Sequence, residues 1–111
     1  MTEPNLLEPA LPVQVSDLVA YGEKAVVSRT LSKGPAGTLT VFAFDAGQDI
    51  SEHTTPHEAF ALGLDGQIEF MVGGQKATLK KGEMLRLPAD VPHALKAHTR
   101  GKMLLVMFKK S

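Results

Sequence analysis

Turn signals recur along this chain at intervals of roughly 8–12 residues, and that spacing is the mark of an all-β sandwich or barrel. Ser32–Gly37 follows the β-rich run Lys24–Leu31, and Asp45-Ala46-Gly47 follows Thr38–Phe44. Asp65-Gly66 separates Ala59–Leu64 from Gln67–Val72, and Gly73-Gly74 separates that run from Gln75–Lys80. Both dipeptides suit the positive-φ positions of a two-residue hairpin, so both are expected to be hairpin turns. Lys81-Gly82, the segment Pro88–Pro92 and Arg100-Gly101 punctuate the rest, leading into Glu83–Leu87, His93–Ala97 and Met103–Phe108. Helical signal is confined to one turn, Leu18–Tyr21, capped by Ser16-Asp17 and stopped by Gly22.

Alternation refines the strands. Ile68, Phe70 and Val72 share one face of their run against Gln67 and Glu69, and Ala77 and Leu79 oppose Lys76, Thr78 and Lys80. These are half-buried antiparallel strands. Ala59–Leu64 and Met103–Phe108 are apolar on both faces, so they belong at a sheet centre or under a partner subunit. Pro4, Pro9 and Pro12 make the first segment extended, because proline fixes φ and removes a backbone donor. Two regions are expected: an N-terminal arm over residues 1–23 and a single β-barrel domain over 24–111. With 111 residues a core without staples is feasible.

Composition removes several chemistries. The absence of cysteine excludes a disulfide framework, a thiolate zinc site, an iron–sulfur cluster and a cysteine nucleophile. A net charge of zero, no tryptophan and one tyrosine argue against nucleic acid and an anionic membrane as partners. No basic residue precedes Lys24, no apolar run approaches a bilayer span, and a cytoplasmic location is the expectation. The zero is an average, however. Residues 1–75 hold ten acidic and three basic side chains, and residues 76–111 hold two acidic and nine basic. Strands from the two halves are expected to lie side by side with their charges matched.

All four histidines, His53, His57, His93 and His98, lie between residues 53 and 98. Imidazole is the commonest metal ligand, and histidines about forty residues apart, each expected to begin a strand, can converge in a barrel lumen. Two frames carry a resemblance. Gly47, five residues, His53, and later Gly66 form the first; Gly82, five residues, Pro88, then Asp90, His93 and Ala97 form the second. Over about residues 37–108 the chain resembles the cupin superfamily, in its small single-domain, RmlC-like, conserved-barrel form. The resemblance implies an all-β double-stranded β-helix, a jelly-roll cupin barrel with an extended N-terminal arm.

It also implies where a metal would sit. The family's three His and one Glu fall here on His53, Thr55, Ala59 and His93, so two ligands are kept and two are lost. Asp90 stands for a turn glycine and Ala97 for a final Asn. Glu52 and Glu58 are one residue out of phase with the lumen positions. If His57 swings inward, His53, His57 and His93 make a three-nitrogen site for one divalent metal, Zn, Fe or Ni. Without metal, His53 and His93 are two facing imidazoles that hydrogen-bond a substrate or work as acid and base; the candidate ligand-binding residues are His53, Thr55, His57 and His93. Walls for a small-molecule ligand would come from Phe60, Leu62, Leu85, Leu87, Leu95 and Met103. His98 reads as a surface residue, and Met71, Met84, Met103 and Met107 as core filler.

Three functions follow as expectations: a cupin binding a metal or small ligand through His53 and His93, a metal-dependent enzyme of the dioxygenase, isomerase or decarboxylase type, or a non-catalytic dimeric module. A homodimer is expected, because two strands apolar on both faces exceed what one barrel of this size can bury.

Overall fold

The computed structural model describes residues 5–110; the expectations at Pro4 and before it lie outside these. Eight strands follow one 3-10 turn: β1 Val26–Gly34, β2 Gly37–Phe44, β3 Asp49–His53, β4 Glu58–Val72, β5 Gln75–Lys80, β6 Met84–Leu87, β7 His93–Lys96 and β8 Gly101–Phe108. All pairings are antiparallel, in the order β1-β2-β8-β4-β7-β3, with β5 and β6 also on β4. The first half of β4 pairs with β8 and β6, and its second half pairs with β5 and β7. One long strand therefore belongs to both layers of a jelly roll. The two strands apolar on both faces are central, as expected: β8 lies between β2 and β4, and β4 between β8 and β6. None of the described helices is long and apolar enough to cross a membrane.

The expected hairpin at Asp65-Gly66 is absent, and β4 runs through it for 15 residues. The left-handed conformation that this dipeptide supplies is used for a bulge instead. Register with β8 shifts between Gly63 and Asp65, and Gly66 has φ 56°. A bulge adds twist and bends the strand, and this one carries β4 from one layer into the other. Gly73-Gly74 is the tight hairpin it was expected to be, with φ 55° and 83° and Val72 opposite Gln75. The helical turn is a 3-10 turn at Val15–Leu18, displaced from Leu18–Tyr21; Gln14 precedes it without a side-chain cap. Ser16 cannot cap from inside the turn, and the turn is held by packing.

The barrel interior is filled from both layers by residues that include Phe44, Ala59, Ala61, Ile68, Phe70, Leu87, Leu95 and Met103. Phe44 and Phe70 are wholly buried, and each contributes about 1.5–3 kcal/mol relative to an exposed ring. A second cluster, Val19, Leu31, Val41 and Ala43, lies outside the barrel, beneath Val15, Leu18 and Tyr21 of the N-terminal segment. The Tyr21 hydroxyl donates to Asp65 at 2.6 Å, and its ring lies within cation–π range of Arg100 and Lys102. Leu6 N–H also donates to Leu31 C=O on the edge strand at 2.7 Å.

Charge matching follows the topology. The ion pairs Glu58–Arg86, Glu69–His98 and Asp45–Arg100 each join the acidic first part of the chain to its basic last part. His98 is on the surface, as its parity indicated.

Candidate functional site

The inner face of the second layer carries one row across four strands. His53 on β3 faces His93 on β7, His93 faces Val72 on β4, and Val72 faces Gln75 on β5. The row is set by local backbone features. Register between β3 and β7 shifts between Ile50 and His53, so that Ser51-Glu52 oppose a single residue. Side chains alternate along a strand, and this extra residue brings His53 onto the face of the core residue Ile50. Without it Glu52 would share that face. At the other histidine, Asp90 takes φ 65° in the turn before β7. Aspartate tolerates this left-handed position better than most residues, so the glycine that the resemblance implies is not required.

The two imidazoles meet edge to face, with centroids 4.3 Å apart and planes at 67°. His53 is exposed and His93 is buried, at 5% exposure. His53 Nδ1 lies 2.9 Å from the Ser51 carbonyl, and His93 Nδ1 lies 3.3 Å from the Val91 carbonyl. A carbonyl only accepts, so each Nδ1 carries a proton and donates; in the neutral form of each ring the Nε2 lone pair is then left free. Burial pushes the His93 imidazole below the usual histidine range; the Val91 carbonyl opposes this and the neighbouring His53 reinforces it. His93 is therefore neutral at neutral pH.

The other sequence candidates lie elsewhere. The Lys110 backbone N–H donates to His57 Nδ1 at 3.1 Å, so His57 is tied to the segment after β8. The Thr55 hydroxyl accepts from His57 N–H at 3.3 Å, and the Thr55 carbonyl accepts from Asp90 N–H at 2.8 Å. Both Thr55 groups serve the turn. Ala59 lies on the inner face at 4% exposure and has no donor atom. Among the described residues no three His, Asp or Glu side chains come together. The donor set does not fit the family's site of three His and one Glu.

The expected walls need one correction. Leu85, Leu87, Leu95 and Met103 belong to the barrel core or pack against it, but Phe60 and Leu62 face outward. Phe60 instead packs edge to face on Phe108, with centroids 6.0 Å apart. A strand apolar on both faces offers no alternation by which to tell inside from outside. Gln75 was missed, although it has the parity of Ala77 and Leu79 and so shares their inner face.

A two-layer antiparallel barrel, here with an imidazole pair in one layer's inner row, defines a jelly-roll protein. Residues 40–108 match the Cupin domain family, and the chain belongs to it. A conserved protein of unknown function from Streptococcus pyogenes is similar over 100% of this chain and 97% of its own, with 32% identity and a TM-score of 0.90. A cupin superfamily protein from Desulfitobacterium hafniense is similar over 98% of this chain and 100% of its own, with 25% identity and a TM-score of 0.90. A cupin 2 conserved barrel domain protein from Leptotrichia buccalis is 35% identical over 85% of this chain, with a TM-score of 0.82; the match spans 46% of that longer protein. No curated protein matches the chain.

Proposed function

We propose that this cupin binds a small molecule in its lumen through the Nε2 atoms of His53 and His93, without a metal. The carrying observation is that both Nδ1 atoms face backbone carbonyls, so both free lone pairs are left for a ligand. A neutral imidazole accepts a hydrogen bond at its unprotonated nitrogen, so the ligand brings hydroxyl or N–H donors to the pair. Val72, the cross-strand neighbour of His93, gives the row an apolar wall, in keeping with pockets that combine apolar walls with few polar groups to orient a ligand. The test is titration of the protein with small phenols and alcohols while the imidazole nitrogens are followed by NMR. Nε2 signals of both histidines should move with saturation; signals that stay fixed with every ligand that binds elsewhere would sink the reading.

We also propose that a second copy covers the outer face of the barrel. Phe60, Leu62, Val106 and Phe108 share that face, with Phe108 53% exposed and Met84 62% exposed on the neighbouring strand. Glu58 and Arg86, paired with each other, place a charge-neutral edge beside it, and a two-fold contact sets the same patch against itself. Sedimentation of the wild type as a dimer, and of Phe108→Glu as a monomer, is expected. A monomeric wild type at micromolar concentration contradicts it.

A further inference from the structure

The two strands that follow β4 leave a gap. β5 pairs with the second half of β4 and β6 with the first half, and neither pairs with the other. At one end the gap is closed by the turn between them: Gly63 N–H donates to Glu83 C=O at 2.8 Å and Gly82 N–H to Gly63 C=O at 2.9 Å. At the other end lies a cavity of about 550 Å³, walled by Val72, Leu85 and Pro88 and edged by Gln75, Lys76 and Arg86. Its size is that of a small-molecule pocket.

This cavity adjoins the histidine row. Val72 lines it and is the direct cross-strand neighbour of both His93 and Gln75. Its charge is one-sided. Arg86 is bonded to Glu58, whereas Lys76 takes no part in the three ion pairs among the described residues. One exposed cation, alternating onto the outer side of β5, is thus available at the rim; His93 stands two strand spacings from β5, roughly 10 Å, and His53 one spacing further. That separation spans one ring or a short carbon chain.

We propose that the gap between β5 and β6 is the ligand portal, and that the site takes small hydroxy acids, with the carboxylate at Lys76 and the hydroxyl at the His53–His93 pair. This rests on the reading of the pair as a ligand site. The apolar walls hold the carbon skeleton, Gln75 offers an amide on the way in, and the hydroxyl donates to a free Nε2. No covalent step is involved. Lys76 is a specificity-determining residue that separates acids from their neutral analogues.

The experiment uses three probes on the full chain, 4-hydroxybenzoate, 4-hydroxybenzamide and benzoate, followed by backbone and imidazole NMR. 4-Hydroxybenzoate is expected to shift Gln75, Ala77 and Leu85 amides together with the His93 ring. The amide analogue should bind up to about fivefold more weakly, the range of one exposed charge pair. Lys76→Glu, an exposed position, should erase or invert that preference. High salt should narrow it. Equal binding of acid and amide, or an unchanged preference in Lys76→Glu, overturns the proposal. If benzoate matches 4-hydroxybenzoate in the gap and the imidazoles do not move, the histidine reading and the hydroxyl half of the proposal both fail. Absence of binding by all three probes overturns it as well.

Discussion

His53 and His93 are direct partners across the β3–β7 ladder, and their rings meet edge to face at 4.3 Å between centroids. The contact depends on one extra residue in β3, since only the bulge turns His53 onto the core-facing side. Each ring is then oriented by a carbonyl two residues before it in sequence, Ser51 for His53 and Val91 for His93. A ring held at Nδ1 presents Nε2 away from the carbonyl that orients it.

Stability should fall as the solution is acidified below the ordinary histidine range. The His93 imidazole is held below its usual value of 6.5, mainly by burial, so the folded chain resists a proton that the unfolded chain accepts. Its contribution is complete above the unfolded value and is lost as pH drops through 6.5 toward the lowered folded value. Urea midpoints measured between neutral and mildly acid pH should decline, and His93→Gln should flatten that part of the curve. Asp45 and Glu58, both held low by arginine partners, act in a separate, more acid window. A wild-type midpoint constant across the histidine window would contradict this account.

Two glycines with positive φ should respond differently to alanine. At Gly74, φ is 83° and an added Cβ meets nothing, so Gly74→Ala should cost only the left-handed backbone strain of about 1–2 kcal/mol. At Gly66, φ is 56° and the Cβ would lie 2.0 Å from the Arg100 carbonyl. Backbone must move there, and Gly66→Ala should cost clearly more, about 3 kcal/mol or above. Chemical denaturation of both variants checks the order. Equal costs would mean that the bulge is not the point where β4 changes layers.

The same glycine shows what the sequence could reveal. Asp65-Gly66 announces a left-handed backbone, and that much was legible. Whether the chain then reverses or only bends depends on which strands stand beside it, and those come from β8, far along the chain. Inside and outside were readable wherever polar and apolar residues alternate, as in β5, where Ala77 and Leu79 oppose Lys76 and Thr78. They were not readable at Phe60 and Leu62, where both faces are apolar. His53 and His93 were legible because the glycine and proline spacings place them, and His93 does open β7; His53 closes β3 instead of beginning a strand. His57 was not, because the Lys110 amide that engages it is a contact between residues 53 positions apart.

A metal site should be restorable. The inner-face alanine at 59 and the turn residue Thr55 occupy the two lost ligand positions of the family frame. Ala59→Glu alone should destabilise the chain, since it buries an unpaired carboxylate. Combined with Thr55→His it should regain stability in millimolar Ni(II) or Zn(II), with Tm rising with metal concentration as binding to the folded state requires. The wild type should show a much smaller rise. A wild-type Tm that climbs as steeply as that of the double variant would contradict the assignment of a metal-free pair.

The central claim is that His53 and His93 offer two free Nε2 acceptors to a ligand. The most direct measurement is the long-range proton–nitrogen NMR spectrum of the imidazole rings above neutral pH, with and without 4-hydroxybenzoate. The account predicts both rings in the Nδ1–H form, with Nε2 unprotonated in the free protein and shifted on saturation. Rings in the Nε2–H form, unmoved by the probe, would contradict it.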